Sequence, residues 1–113
     1  MTYDVMEPKF DSWTEDAILV VMQELADEFG LVIKQNTTLR SKKGSVHCHL
    51  GHVKHPGIIE VTVWPRRKEV WVDMHNNRRS NWNEMLMEPV SEWLARRLGG
   101  RAQQRASQLN ALN

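Results

Sequence analysis

The sequence predicts an α+β domain in which a helix, about four antiparallel strands and a second helix follow one another (αββββα), with both helices on one face of the sheet. Three observations carry this reading. Apolar residues recur every three or four positions over 13–29 and 82–98, the spacing that gathers them on one side of a helix. Over 45–50, 58–64 and 69–75 they instead alternate with polar residues, the period of a strand with one buried face. Polar, glycine and proline clusters at 36–44, 51–57, 65–68 and 76–80 separate the runs.

Ser12-Trp13-Thr14-Glu15 reads as a capping box, the serine hydroxyl accepting from the Glu15 N–H while the glutamate reaches back, so the first helix is placed over 12–29. Trp13, Ala17, Val21, Leu25 and Phe29, widened by Ile18 and Met22, form its apolar stripe, and Gly30 can adopt the left-handed conformation that ends it. Leu31 to Gln35 is a first strand, followed by a mobile basic connection over 36–44. Val46, Cys48 and Leu50 mark the buried face of the next strand. Ile59, Val61 and Val63 then mirror Val70, Val72 and Met74 across the turn Pro65-Arg66-Arg67-Lys68, an antiparallel hairpin whose single register pairs Val63 with Val70 and Val61 with Val72. In the second helix, from Asn81 to Leu98, Pro89 interrupts the stripe and must either kink it or open a shorter helix near Glu88. Residues 1–11 are expected to be a flexible leader, 12–100 the single domain, and 101–113 a frayed polar tail.

The chain has 113 residues, 41% of them hydrophobic, enough for one core. Its longest apolar stretch, Ala17 to Met22, is far short of a membrane span, and the acidic start broken by Pro8 is unlike a secretory signal. Cys48 has no partner for a disulfide, as expected in a reducing, cytoplasmic setting. The net charge of +1 hides an asymmetry: residues 1–30 hold eight acids and one base, whereas 31–113 hold fourteen bases and six acids. The acids concentrate on the first helix, and the basic remainder points to an anionic partner unless the two neutralise each other within the fold.

Strand parity assigns the functional candidates. With the aliphatic residues inward, the other sheet face carries His47, His49, Glu60, Thr62, Trp64, Trp71, Asp73 and His75. Trp64 and Trp71, flanked by Arg66, Arg67 and Lys68 at the hairpin tip and by Arg78 and Arg79 in the next loop, are the residue types of a base-stacking platform with a phosphate-binding rim. The expected function is therefore a small non-enzymatic binding module for nucleic acid. The alternative is a protein-binding adaptor, inhibitor or immunity-type module that uses the tryptophans or the acidic helix, and the open face also suits a homodimer.

A minor alternative is metal-dependent hydrolysis. His47 and His49 share one strand face and can reach a single zinc ion, with His52 or His55 from the following turn as a further ligand, while Cys48 points to the opposite face. Glu60, Asp73, His49 and His75 converge only if neighbouring strands bring them together. No nucleophile elbow, phosphate-binding glycine loop, Cys-x-x-Cys pair or His-Glu-x-x-His motif occurs, so no catalytic residue is assigned and no cofactor beyond zinc is implied.

The hairpin register is directly testable. Val61→Asp sets an unpaired charge between the sheet and its helices and is expected to abolish cooperative thermal unfolding. A melting curve like that of the parent would place Val61 on the wrong face.

Overall fold

The computed structural model describes residues 1–106, which run β1 (Thr2–Met6), α1 (Glu15–Phe29), β2 (Val32–Thr37), β3 (Val46–Gly51), β4 (Ile58–Trp64), β5 (Glu69–Asp73), α2 (Asn81–Arg97) and β6 (Arg101–Gln104). The strands form one antiparallel sheet in the order β2-β3-β4-β5-β1-β6. The class is α+β, as the patterning predicts. Six strands replace the expected four.

The β4–β5 hairpin has the predicted register, Val63 opposite Val70 and Val61 opposite Val72. On its other side β4 pairs Leu50 with Ile59, Cys48 with Val61 and Val46 with Val63. Each pairing sets one aliphatic or thiol side chain beside another, and all of these are buried under the helices. α1 packs over β2 and β3 and contributes Ile18, Val21, Met22, Leu25 and Ala26 to the core. α2 packs over β1, β6, β5 and β4 and contributes Met87, Val90, Leu94 and Ala95. At about 1.5–3 kcal/mol for each large aliphatic side chain removed from water, this one layer of contact dominates the stability. β2 at the sheet edge carries a bulge between Ile33 and Gln35.

Both chain ends differ from expectation. The segment read as a flexible leader holds β1, which lies inside the sheet with Tyr3 opposite Val72 and Val5 opposite Ala102. Only Tyr3 and Val5 face the helices, so the alternation is too short to stand out, and the hydrogen-bonding partners lie some seventy to a hundred residues away in sequence. Arg101–Gln104, read as frayed tail, forms β6; residues 107–113 of that expected tail lie outside the described residues. The chain reaches β6 through Gly99, whose φ of 75° ends α2, and Gly100, where a Cβ would collide with the Met6 carbonyl oxygen. The glycine pair is thus required by a turn and by a close backbone approach to β1.

Local signals were partly displaced. The N-cap of α1 is Thr14, whose hydroxyl accepts from the Ala17 N–H at 3.2 Å, while Ser12 hydrogen-bonds only the Thr14 hydroxyl. Gly30 ends the helix with φ 66° as expected. Pro89 neither starts α2 nor ends it. It sits on the solvent side, opposite buried Met87, Val90 and Leu94, so the missing N–H bond falls where water can take the freed carbonyl. The start of α2 is tied down by Asn83, fully buried: its Oδ1 accepts from Ser80 N–H, and its Nδ2 donates to the carbonyls of Ile58 and Arg78.

Two measurements check this architecture. Deleting residues 1–6 removes an interior strand and is expected to eliminate the cooperative melting transition; a deletion variant melting within about 5 °C of the parent would contradict it. The Cys48 thiol, pushed up to about 11 by burial, is expected to resist iodoacetamide at about pH 8 in the folded protein and to react in denaturant.

Candidate functional site

The face opposite the helices carries the polar member of every strand pair. Register sets His49 opposite Glu60 and His47 opposite Thr62, then Glu60 opposite Asp73 and Thr62 opposite Trp71, and finally Asp4 opposite Trp71. Two separate groups result, one towards each end of the central strands.

The first is a histidine–glutamate cluster. Glu60 Oε1 lies 3.1 Å from His47 Nε2 and 3.2 Å from His49 Nε2, the two histidine nitrogens are 3.1 Å apart, and Glu60 Oε2 is 2.8 Å from His75 Nε2. His47 Nδ1 is in turn 2.7 Å from Thr62 Oγ1. Although no helix among the described residues covers this face, His47 and Glu60 are each only 8% exposed and Thr62 1%. Burial holds the His47 imidazole below its usual range, outweighing the opposing pull of the Glu60 carboxylate. Asp73 stays apart, engaged by the Thr2 hydroxyl.

The second group is basic and aromatic. The β2–β3 connection, residues 38–45, carries Arg40, Lys42 and Lys43 and meets the β4–β5 turn with Arg66, Arg67 and Lys68. The junction is Trp64: its Nε1–H donates to the Lys43 carbonyl at 3.1 Å, and its ring lies 5.3 Å from the Arg67 guanidinium carbon. Lys42 Nζ sits 5.7 Å from the Trp64 ring and 5.8 Å from that of Trp71, one cation shared by two aromatic faces. Beside Trp71 a cleft of about 650 Å³ opens towards β1, rimmed by Lys42, Lys68, Met6, Asp4 and Arg105. Arg105 is committed to Asp4, donating from Nε to Oδ2 at 2.9 Å and from Nη2 to Oδ1, and that bond raises its pKa further.

The site residues expected from sequence are thus divided. Trp64, Arg66, Arg67, Lys68 and Trp71 stand together at one end, but Trp64 anchors a loop instead of offering a free face. Arg78 and Arg79 follow β5 and therefore lie beyond its opposite end, roughly 15 Å along the strand, where Arg79 faces Glu84 at 3.9 Å. His47 and His49 meet as expected. His52 and His55 do not join them: their rings pack on each other at 4.6 Å, and His52 faces Trp82 of α2 at 6.1 Å. His52 has the inward parity of Leu50, so it leaves β3 on the helix side. Glu60 takes the place next to the two histidines, and among the described residues His47, His49 and Glu60 form the one group with ligand atoms close enough to share an ion.

Sequence reasoning also missed Lys42 and Asp4, the first because its loop reads as mobile, the second because β1 reads as leader. No protein-family model, curated protein or solved structure matches the chain.

Trp64→Phe removes the indole donor while keeping an aromatic ring. Removal of one neutral hydrogen bond of about 0.5–1.5 kcal/mol is expected to raise the rate of limited trypsin cleavage at Arg40, Lys42 and Lys43 roughly 2–10-fold. Unchanged cleavage would mean that the bond does not hold the loop.

Proposed function

We propose that the protein is a non-enzymatic module that binds single-stranded nucleic acid through the basic, aromatic end of its open face. The observation that carries this reading is the convergence of two basic segments, 40–43 and 66–68, beside the half-buried Trp71 ring. Lys42 and Lys68 rim the cleft next to that ring, and ammonium groups beside an indole are the residue types that hold phosphates next to a stacked base. Charge placement supports it too. The acids of α1 lie on the far side of the sheet, and among the described residues the single ion pair joining them to a base is Glu24 with Arg97 at 2.9 Å. Among the described residues Arg67 is the one of the six bases of this end that forms an ion pair, with Glu69 at 3.3 Å, although Asp4, Glu7 and Glu69 also line the cleft.

The test is titration of a fluorescent oligonucleotide at several salt concentrations, with melting curves for each variant. Replacing Lys42 and Lys68 by alanine is expected to weaken binding and to flatten the log–log salt slope by about 0.7 for each phosphate no longer neutralised. Trp71→Ala is expected to weaken binding by about 1–3 kcal/mol, roughly 5- to 150-fold, at unchanged slope. Arg78→Ala with Arg79→Ala is expected to change little. Absence of binding at low salt, or equal binding by all variants, would overturn the reading.

A further inference from the structure

We infer that His47, His49 and Glu60 form a binding site for a first-row divalent metal ion, with zinc the best fit, positioned by Thr62 and bordered by the exposed His75. The site is independent of the basic end. It is built from two adjacent strands whose register is fixed by the core on the other face, so its ligands are held by the sheet and not by a loop.

The geometry has two parts. The three facing atoms, His47 Nε2, His49 Nε2 and Glu60 Oε1, form a nearly equilateral triangle with edges of 3.1, 3.1 and 3.2 Å. Metal–ligand bonds of about 2.0–2.1 Å set neighbouring ligand atoms about 3.3–3.4 Å apart in a tetrahedral site and about 3.0 Å apart on an octahedral face. The observed edges fall between these values, so an ion just outside the triangle would reach all three atoms without strand movement. Two imidazoles and one carboxylate are the donor set of many three-ligand zinc sites, with the remaining position left to water.

The same triangle is badly served by hydrogen bonds alone. With Glu60 ionised, protons on both Nε2 atoms satisfy the carboxylate but set two N–H groups against each other. Removing one proton sets a nitrogen lone pair against a carboxylate lone pair. One edge is unfavourable in either arrangement, and a central cation relieves all three edges at once. Thr62 Oγ1, 2.7 Å from His47 Nδ1, can accept from Nδ1–H and so leave the Nε2 lone pair free for a metal, as outer partners of metal-bound histidines do. His75, with a side chain 60% exposed, holds the other Glu60 oxygen, so Oε1 stays turned towards the two rings.

The experiment uses the full chain, stripped with a chelator and titrated with zinc alone at about pH 7.5 against a chromophoric competitor. One equivalent is expected to bind with a dissociation constant of about 10 μM or tighter and to raise the melting temperature. Nitrogen NMR of the histidine side chains is expected to show the Nε2 resonances of His47 and His49 moving on zinc addition. His49→Ala and Glu60→Gln are each expected to weaken binding about 100-fold and Thr62→Val about 10-fold, while His52→Ala with His55→Ala leaves it unchanged. The wild-type NMR readout decides the matter even if a variant fails to fold. No binding at about 100 μM zinc, unmoved His47 and His49 resonances, or loss of binding only in the His52 and His55 variant would overturn the inference.

Discussion

The pairing of Val61 with Val72 governs the rest of this structure. Side chains alternate strictly along a strand, so a one-residue slip of β4 against β5 would send either Glu60 and Thr62 or Trp71 into the core and turn the valines of that strand to solvent. The slip is prevented by the apolar surface it would expose, at about 25 cal/mol for each Å². The open face inherits its geometry from that penalty. The distances among His47, His49 and Glu60 are fixed by aliphatic packing on the side of the sheet that they never touch.

The open face also shows how one scaffold keeps two kinds of polar chemistry apart. Near His49 and Glu60 the groups are short, mutually engaged and almost removed from water. Near Trp64 they are long, cationic and exposed, and the aromatic rings keep the lysine and arginine stems in place without neutralising them. Burial sharpens electrostatic interactions in the first group, whereas solvent and salt weaken them in the second. A change in ionic strength therefore acts mainly on the basic end.

Legibility followed sequence range. The hairpin, the helices and the facing of His47 and His49 were readable because each depends on residues a few positions apart. Glu60 as neighbour of His49 follows from matching Leu50 with Ile59 and Cys48 with Val61, but a shift of two residues would pair Leu50 with Val61 and Cys48 with Val63 equally well, so parity alone does not select it. Strand parity already sets Glu60 and His49 on one face and leaves open which strands are neighbours; the histidines of the following turn, closer in sequence, were set beside His47 and His49 although His52 has the parity of the buried side. β1 and β6 were not readable, since β6 is held by β1, β1 by β5 and β6, and both by α2, all of them distant in sequence from one or the other. Arg78 and Arg79 were misplaced for a related reason: proximity in sequence to Trp71 conceals the length of the strand between them.

The bulge in β2 bears on how the protein meets other chains. A sheet edge presents unpaired N–H and C=O groups that invite a further strand, and repetition of that pairing leads to aggregates. Here one edge is broken between Ile33 and Gln35, with the lysine of the bulge, Lys34, exposed beside it. The other edge, β6, is only four residues long and begins with exposed Arg101. Neither border offers a long, flat, apolar template, so lateral growth of the sheet is disfavoured at both margins.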